Sequence, residues 1–94
     1  MIVNQNHTLI VTYSLKNRRW DYQPFYAVLQ QQGAWWHYLP SSWLIVTSNA
    51  PVDVYNSLAP HISPVDRILV MPVTMPTFGW LPQAAWDWIN ANVR

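Results

Sequence analysis

The stretch GAWWHYLPSSWLIV, residues 33–46, decides the fold of this chain. It is typical of a glycine stop, an aromatic strand, a tight turn and a second apolar strand. A proline at the second position of the segment 39–42 presets the backbone angle of a type I turn. If Leu39 and Ser42 close that turn, the expected cross-strand pairs are Tyr38–Trp43, His37–Leu44, Trp36–Ile45 and Trp35–Val46. Both faces of the hairpin are then apolar, and we expect both to be covered.

The segment before the hairpin predicts one strand and one helix. Residues 8–14 are rich in β-branched and aromatic side chains, which favours a strand, and a loop follows over residues 15–20. Asp21 is placed to cap a helix, and Gly33 is placed to stop it in the left-handed conformation. The apolar side of this helix has the i, i+3, i+4, i+7 spacing, in Tyr22, Phe25, Tyr26 and Leu29.

The segment after the hairpin predicts a second helix, a fourth strand and a last helix. Ser48 or Asn49 is placed to cap the second helix, whose apolar residues are Pro51, Val52, Tyr55 and Leu58. Residues 66–73 form the fourth strand. A connector of about residues 74–81 then leads to a C-terminal helix over about residues 82–93.

The element order is therefore β-α-β-β-α-β with an additional C-terminal helix. This order predicts an α+β, ferredoxin-like split-βαβ sandwich in a single domain over residues 1–94, with its core in about residues 8–73. In that topology the first and third strands are central, which suits the aliphatic runs 9–11 and 44–46. The fourth strand lies at an edge, where Pro72 removes no ladder hydrogen bond.

Charge and cysteine content exclude several classes of protein. Charged residues make up 10% of the chain, whereas about a quarter is usual, and seven tryptophans and five tyrosines are present. A net charge of +1 implies no strong long-range field. Since the chain has no cysteine and no run near the roughly 20 apolar residues of a membrane span, we expect a cytoplasmic protein with no membrane association. The segment 1–7 shows no export signal.

No catalytic or metal-binding constellation is evident, and no cofactor is predicted. The four acidic residues are scattered, as Asp21, Asp53, Asp66 and Asp87. Asp66 precedes a strand and is interpreted as a turn residue. His37 has two interpretations, as a base or base-stacking group within an aromatic hairpin, or as a hydrogen-bonded histidine on a sheet face.

The loop after the first strand suggests a nucleic-acid site. It carries Lys16, Arg18 and Arg19 next to Trp20. Cations beside an aromatic ring suit single-stranded nucleic acid, with phosphates on the cations and a base on the ring. The alternative is a solvated loop in which Trp20 packs against the start of the following helix.

Several motifs give the chain a family resemblance. Tyr13-Ser14-Leu15, the segment 33–39 with Ser42-Trp43, and Gly79-Trp80 with Trp88-Ile89 resemble small bacterial proteins described as SinR-like. These are distantly similar to the small ferredoxin-like CRISPR-associated subunit that dimerises and supports the spacer integrase. The resemblance implies a ferredoxin-like homodimer in a defence or mobile-element setting.

One position departs from the CRISPR-associated pattern. Those subunits place an aspartate at the end of the first strand, where it holds a divalent metal across the dimer axis, and the matching residue here is Ser14. A neutral hydroxyl does not replace two paired carboxylates as a ligand set for such an ion. Ser14 at this position therefore counts against nuclease chemistry.

Three functions remain open at this point. The first is a non-enzymatic homodimer that uses a face of the aromatic hairpin, with Trp36, Tyr38 and Trp43 expected on one face and Trp35 and His37 on the other. The second is weak, non-sequence-specific binding of nucleic acid by the loop, and the third is a metal-dependent nuclease that lacks its aspartate. For the homodimer we expect a two-fold contact over the sheet face opposite the helices, part of which the C-terminal helix could cover instead.

Overall fold

The computed structural model describes residues 6–94, so the first five residues of the segment searched for an export signal lie outside it. Four strands and three helices follow one another in the order β-α-β-β-α-β-α. The strands are β1 (His7–Ser14), β2 (Ala34–His37), β3 (Ser42–Thr47) and β4 (Arg67–Val73). The helices are α1 (Gln23–Gln31), α2 (Pro51–Leu58) and α3 (Gln83–Asn92). The predicted C-terminal helix is thus present, within a residue of its expected bounds.

The four strands form one antiparallel sheet in the order β2-β3-β1-β4. The α+β class predicted from the sequence is confirmed, and the arrangement is compatible with a ferredoxin-like fold. The two aliphatic runs lie on the central strands β1 and β3. Pro72 lies on the edge strand β4, where a residue without a backbone N–H is tolerated.

The main core lies between α1, α2 and one face of the sheet, which we call the helix side. Alternate β1 residues point into it, and Leu9 and Val11 are fully buried there. Phe25 and Leu29 of α1 are buried against them, as the helical spacing predicted. Burial of each such side chain contributes about 1.5–3 kcal/mol.

Helix α2 turns a different side toward the core from the one predicted. Val54 and Leu58 are fully buried, whereas Val52 and Tyr55 are exposed. The helix has barely two turns, and Leu58 fits both apolar stripes, so the spacing alone could not select the correct one. The predicted cap is also wrong, because the residue preceding the helix is Ala50 and it makes no side-chain capping bond.

The hairpin register differs by one residue from the prediction. The turn closes as expected, with Ser42 N donating to Leu39 O at 3.2 Å. Tyr38 remains unpaired, however, so the cross-strand pairs are His37–Trp43, Trp36–Leu44, Trp35–Ile45 and Ala34–Val46. A shift of one residue moves every β2 side chain to the other face. Trp35 and His37 therefore share the helix side with Trp43 and Ile45.

Gly33 connects α1 to this hairpin with a φ of +155°. This positive φ lies outside the left-handed helical value expected of a helix stop, but it still favours glycine. A Cβ at this position would also overlap the carbonyl oxygen of Val46 on β3. Two constraints thus explain the glycine at the start of the fold-deciding stretch.

Helix α3 covers part of the opposite face of the sheet, which we call the α3 side. The Thr8 hydroxyl donates to the carbonyl of Asn92 at 2.9 Å, and Ile89 and Val93 are buried. The same chain thus provides part of the cover that this apolar face requires. Among residues 6–94, we find no helix with the length and apolar character needed to cross a membrane.

Candidate functional site

The basic loop after β1 is held in place by the buried carboxylate of Asp66. The backbone N–H of Lys16 donates to Asp66 Oδ1 at 2.7 Å, and the Tyr22 hydroxyl donates to Oδ2 at 2.7 Å. Ser63 donates to Oδ2 through both its backbone N–H and its hydroxyl, at 2.8 and 2.9 Å. Asp66 is therefore more than the turn residue expected from the sequence, because it joins segments 50 residues apart.

These hydrogen bonds determine the charge state of Asp66. Burial by itself raises the pKa of the carboxyl, but the donors from Lys16, Ser63 and Tyr22 outweigh it and lower the pKa from 3.8 to about 2. Burial and the bond to Asp66 raise the pKa of the Tyr22 hydroxyl, which keeps it a donor. The loop is anchored by a charge-assisted network.

Trp20 is part of this anchoring. Its indole Nε1 donates to the carbonyl of His61 at 3.0 Å, and the side chain is 37% exposed. The Asn17 side-chain oxygen accepts from Arg19 N at 3.1 Å and its backbone oxygen accepts from Trp20 N at 3.1 Å, which closes the loop into a turn. Trp20 therefore connects the loop to the 3₁₀ turn Ala59–His61 that follows α2, and its side chain remains partly exposed.

The loop places several cations at one end of the sheet. The side chains of Lys16, Arg18 and Arg19 are exposed. Arg67 is distant from the loop in sequence, but it pairs with Ser14 across the sheet and adds a fourth cation at this end. Its guanidinium donates to the carbonyl of Asp66 at 2.8 Å. The cluster contains four of the five cationic residues of the chain.

The five aromatic hairpin residues lie on both sides of the sheet, as expected, but the register shift changes the grouping, because Trp43 shares its side with Trp35 and His37. Trp43 is only 3% exposed and belongs to the core of its own chain. Its Nε1 donates to the Tyr13 hydroxyl at 2.9 Å, and the His37 ring stacks on it with a centroid distance of 4.4 Å and an interplanar angle of 15°. Trp35 packs against the same ring at 4.8 Å.

His37 has the geometry of a sheet-face histidine. Its Nε2 lies 3.4 Å from the carbonyl oxygen of Pro40 in the turn, and the residue is exposed. Among residues 6–94, no group of three or more His, Cys, Asp or Glu side chains could hold a metal ion. The ring therefore contributes to the structure of the hairpin by stacking on Trp43.

The α3 side carries an exposed apolar surface that the hairpin shares with the connector between β4 and α3. We call this surface the connector patch, and it comprises Tyr38, Leu39, Phe78 and Trp80. Phe78 is 92% exposed and Trp80 is 98% exposed, while Tyr38 and Leu39 are about half exposed. Tyr38 and Leu39 line two surface pockets. Phe78 lines the first pocket with them and Trp80 lines the second, so the four residues are neighbours.

No charged residue interrupts the segments that form the connector patch. The chain has none from residue 22 to residue 52 and none from residue 68 to residue 86. Desolvation of this surface therefore removes no charge from water, which is a usual feature of the centre of a protein interface. The pattern of uncharged segments is visible in the sequence, but the exposure of Phe78 and Trp80 is not.

Next to the connector patch, an apolar cavity of about 170 Å³ lies between the sheet and α3 and opens to the surface at Tyr38, Leu39 and Phe78. Trp36 and Leu44 of the hairpin face it, together with Ile10 of β1. Trp86 and Ile89 of α3 form the opposite wall. Trp36 and Trp86 are 50 residues apart in the sequence, and no local pattern predicts a cavity between them.

Comparison with protein-family models, with curated proteins and with solved structures finds no match to this chain.

Proposed function

We propose that this protein is a homodimeric interaction module with a ferredoxin-like split-βαβ fold, in which the connector patch forms the centre of the interface. The observation that carries the proposal is the near-complete exposure of Phe78 and Trp80 on an uncharged surface. The proposed family remains the SinR-like group, on the motifs given above, with a defence or mobile-element setting. Conserved association with CRISPR or toxin–antitoxin genes would support that setting, and unrelated gene neighbours would count against it.

The area of the connector patch fits the centre of a dimer interface. An aromatic side chain buries about 150–250 Å², so Phe78 and Trp80 together offer roughly 300–500 Å². A standard interface buries about 800 Å² per partner, and the half-exposed Tyr38 and Leu39 extend the patch toward that value. Monomers rarely expose an apolar patch of more than a few hundred Å².

A second copy of the chain is the partner that these features favour. The patch is aromatic and uncharged, and it requires a partner surface of the same character, which each copy offers. With a net charge of +1, two copies repel each other only weakly. A two-fold axis through the patch pairs each ring with the same surface of the other copy, the commonest form of self-association.

Sedimentation equilibrium at micromolar concentration tests the proposal. The wild-type protein is expected at twice the monomer mass of 11.0 kDa. Trp80→Ser and Phe78→Ser are expected to weaken association by about 30-fold or more, the usual effect of removing an aromatic anchor. Tyr55→Ser is the matched control, because Tyr55 is an exposed aromatic residue on α2, across the sheet. A wild-type monomer, or equal weakening by the control, would overturn the proposal.

Binding of single-stranded nucleic acid by the basic loop is a second candidate function. Its support is the fourth cation, Arg67, which lies beside Lys16, Arg18 and Arg19 at the anchored end of the sheet. The replacement of Arg18 and Arg19 by alanine should reduce the salt slope of the affinity by about 0.7 per lost phosphate contact. Fluorescence anisotropy at low salt measures this slope. Arg94→Ala is the control, since Arg94 lies by Met75 at the other end of β4, and an unchanged slope in the double variant would exclude the loop.

A further inference from the structure

The cavity between the sheet and α3 reaches from the interior to the protein surface and is large for a small domain. Protein interiors are close-packed and contain few voids larger than a water molecule. The cavity has a volume of about 170 Å³, slightly more than the roughly 150 Å³ of an apolar engineered cavity that stays dry and binds benzene. The space is therefore sufficient for a small ring compound.

The cavity wall has the chemistry of a site for an uncharged apolar molecule. None of its lining residues is charged, and most are aliphatic or aromatic. The Ser42 hydroxyl donates to Thr12 Oγ1 at 3.1 Å, and the Thr77 hydroxyl donates to Met75 Sδ at 3.7 Å. Both hydroxyl protons are thus used within the protein. Tyr38 is the third lining residue with a hydroxyl group. A water molecule needs two to four polar partners, and this mainly apolar wall offers few, so the cavity favours an apolar occupant over water.

The aromatic groups of the wall favour a ring as the occupant. Trp36 contributes from the sheet, Trp86 from α3 and Phe78 from the connector. Aromatic rings pack against one another in edge-to-face or offset geometry, with an energy beyond that of their buried area. Phe78 is 92% exposed and also lines the cavity, so it marks where the cavity meets the surface.

We propose that the cavity is a binding site for an uncharged aromatic molecule of one or two rings. All the residues that line the site belong to one chain, so a monomer retains the complete site, and dimer formation would cover only its mouth at Tyr38, Leu39 and Phe78. Trp80, the residue chosen to test assembly, does not line the cavity. Trp80→Ser is therefore expected to bind the same molecule as the wild type, and this separates the present proposal from that of the homodimer.

Titration with toluene, followed by NMR of the indole N–H signals, tests the site. Toluene is expected to shift the signals of Trp36 and Trp86 in a saturable manner and to raise the melting temperature. Benzoate has the same ring with a charge and is expected to produce neither effect, because the cavity offers no partner for a carboxylate. The absence of a saturable shift with toluene, or equal binding of benzoate, would overturn the proposal.

Variants that fill the cavity provide the second part of the test. Leu44→Phe adds volume from the sheet wall and is expected to weaken toluene binding by at least about tenfold. Ile10→Phe fills the same space from β1, and this variant is used instead of Leu44→Phe if Leu44→Phe does not fold. Val52→Phe on the exposed surface of α2 is the matched control, and should bind as the wild type does. Wild-type affinity in a folded cavity-filling variant would contradict the assignment.

Discussion

The two faces of the sheet are packed to different degrees, although both are apolar. On the helix side Leu9, Val11 and Ile45 are fully buried against α1 and α2. On the α3 side Ile10 is half-buried, and a cavity of about 170 Å³ lies over it. Helices α1 and α2 connect consecutive strands, so the chain must cross the helix side to complete the sheet. Helix α3 follows the last strand and is free of that requirement, so the second face can be packed less closely.

The difference in packing predicts that alanine substitutions at two neighbouring β1 residues, one on each face, will change the free energy of unfolding by very different amounts. Leu9→Ala should lower the free energy of unfolding by about 3–5 kcal/mol, because it leaves a hole in a close-packed core. Ile10→Ala should cost only about 1–2 kcal/mol, since Ile10 is half-buried and already borders empty space. Urea denaturation of both variants provides the measurement. Equal losses would show that the two faces contribute alike to stability.

The second prediction concerns the carboxylate that holds the basic loop. Asp66→Asn should cost about 2–3 kcal/mol, because the amide nitrogen cannot accept the hydrogen bonds that both carboxylate oxygens now accept. Asp87→Asn is the control and should change stability by less than about 0.5 kcal/mol, since Asp87 is exposed on α3. Urea denaturation at neutral pH compares the two variants. A loss in the control as large as that in Asp66→Asn would contradict the anchoring role.

The stabilising effect of Asp66 should also depend on pH in a defined direction. The pKa of its carboxyl is about 2 in the folded protein, below the ordinary value of 3.8. Its contribution is therefore complete above the ordinary value and is lost as the pH falls from about 4 toward about 2. Urea denaturation over this range should show a smaller acid-induced decline in Asp66→Asn than in the wild type. An identical decline in both proteins would assign acid sensitivity to other carboxyls.

The two faces also differ in how well the sequence predicts them. The aliphatic runs of β1 and β3 and the spacing of Phe25 and Leu29 predict the strands and α1 correctly, because local periodicity reflects burial on one face. The hairpin register was missed by one residue, since the sequence does not show that Tyr38 stays unpaired. A local sequence pattern therefore predicts the structure correctly only where a single strand register or helix orientation is compatible with it.

The candidate sites were less predictable than the fold. The cations and Trp20 of the loop are evident as a local cluster, but the role of Asp66 depends on Lys16, 50 residues away. Arg67 joins the cluster only through its pairing with Ser14. The cavity lies between residues of the hairpin and residues of α3, and its volume depends on the distance between α3 and the sheet. No spacing within a single segment contains that information.

The smallest predicted effect comes from two tyrosines on opposite faces. Tyr13→Phe should cost about 1 kcal/mol, because it removes the acceptor of the buried Trp43 indole N–H on the helix side. Tyr38→Phe should change stability by less than about 0.5 kcal/mol, since Tyr38 is about half exposed on the α3 side. Burial raises the pKa of the Tyr13 hydroxyl to about 12, although the bond from Trp43 acts in the opposite direction.

The raised pKa adds a second measurement to the Tyr13 prediction. The folded protein retains the Tyr13 proton above the ordinary value of 10.0, so the contribution to stability is complete below that pH and is lost as the pH rises toward about 12. Urea denaturation across this alkaline range should therefore show a smaller decline for Tyr13→Phe than for the wild type or Tyr38→Phe. If Tyr13→Phe and Tyr38→Phe lower the free energy of unfolding equally, and it declines equally in both as the pH rises, the buried hydrogen bond on the helix side does not distinguish the two faces. The difference between them would then rest on apolar packing alone.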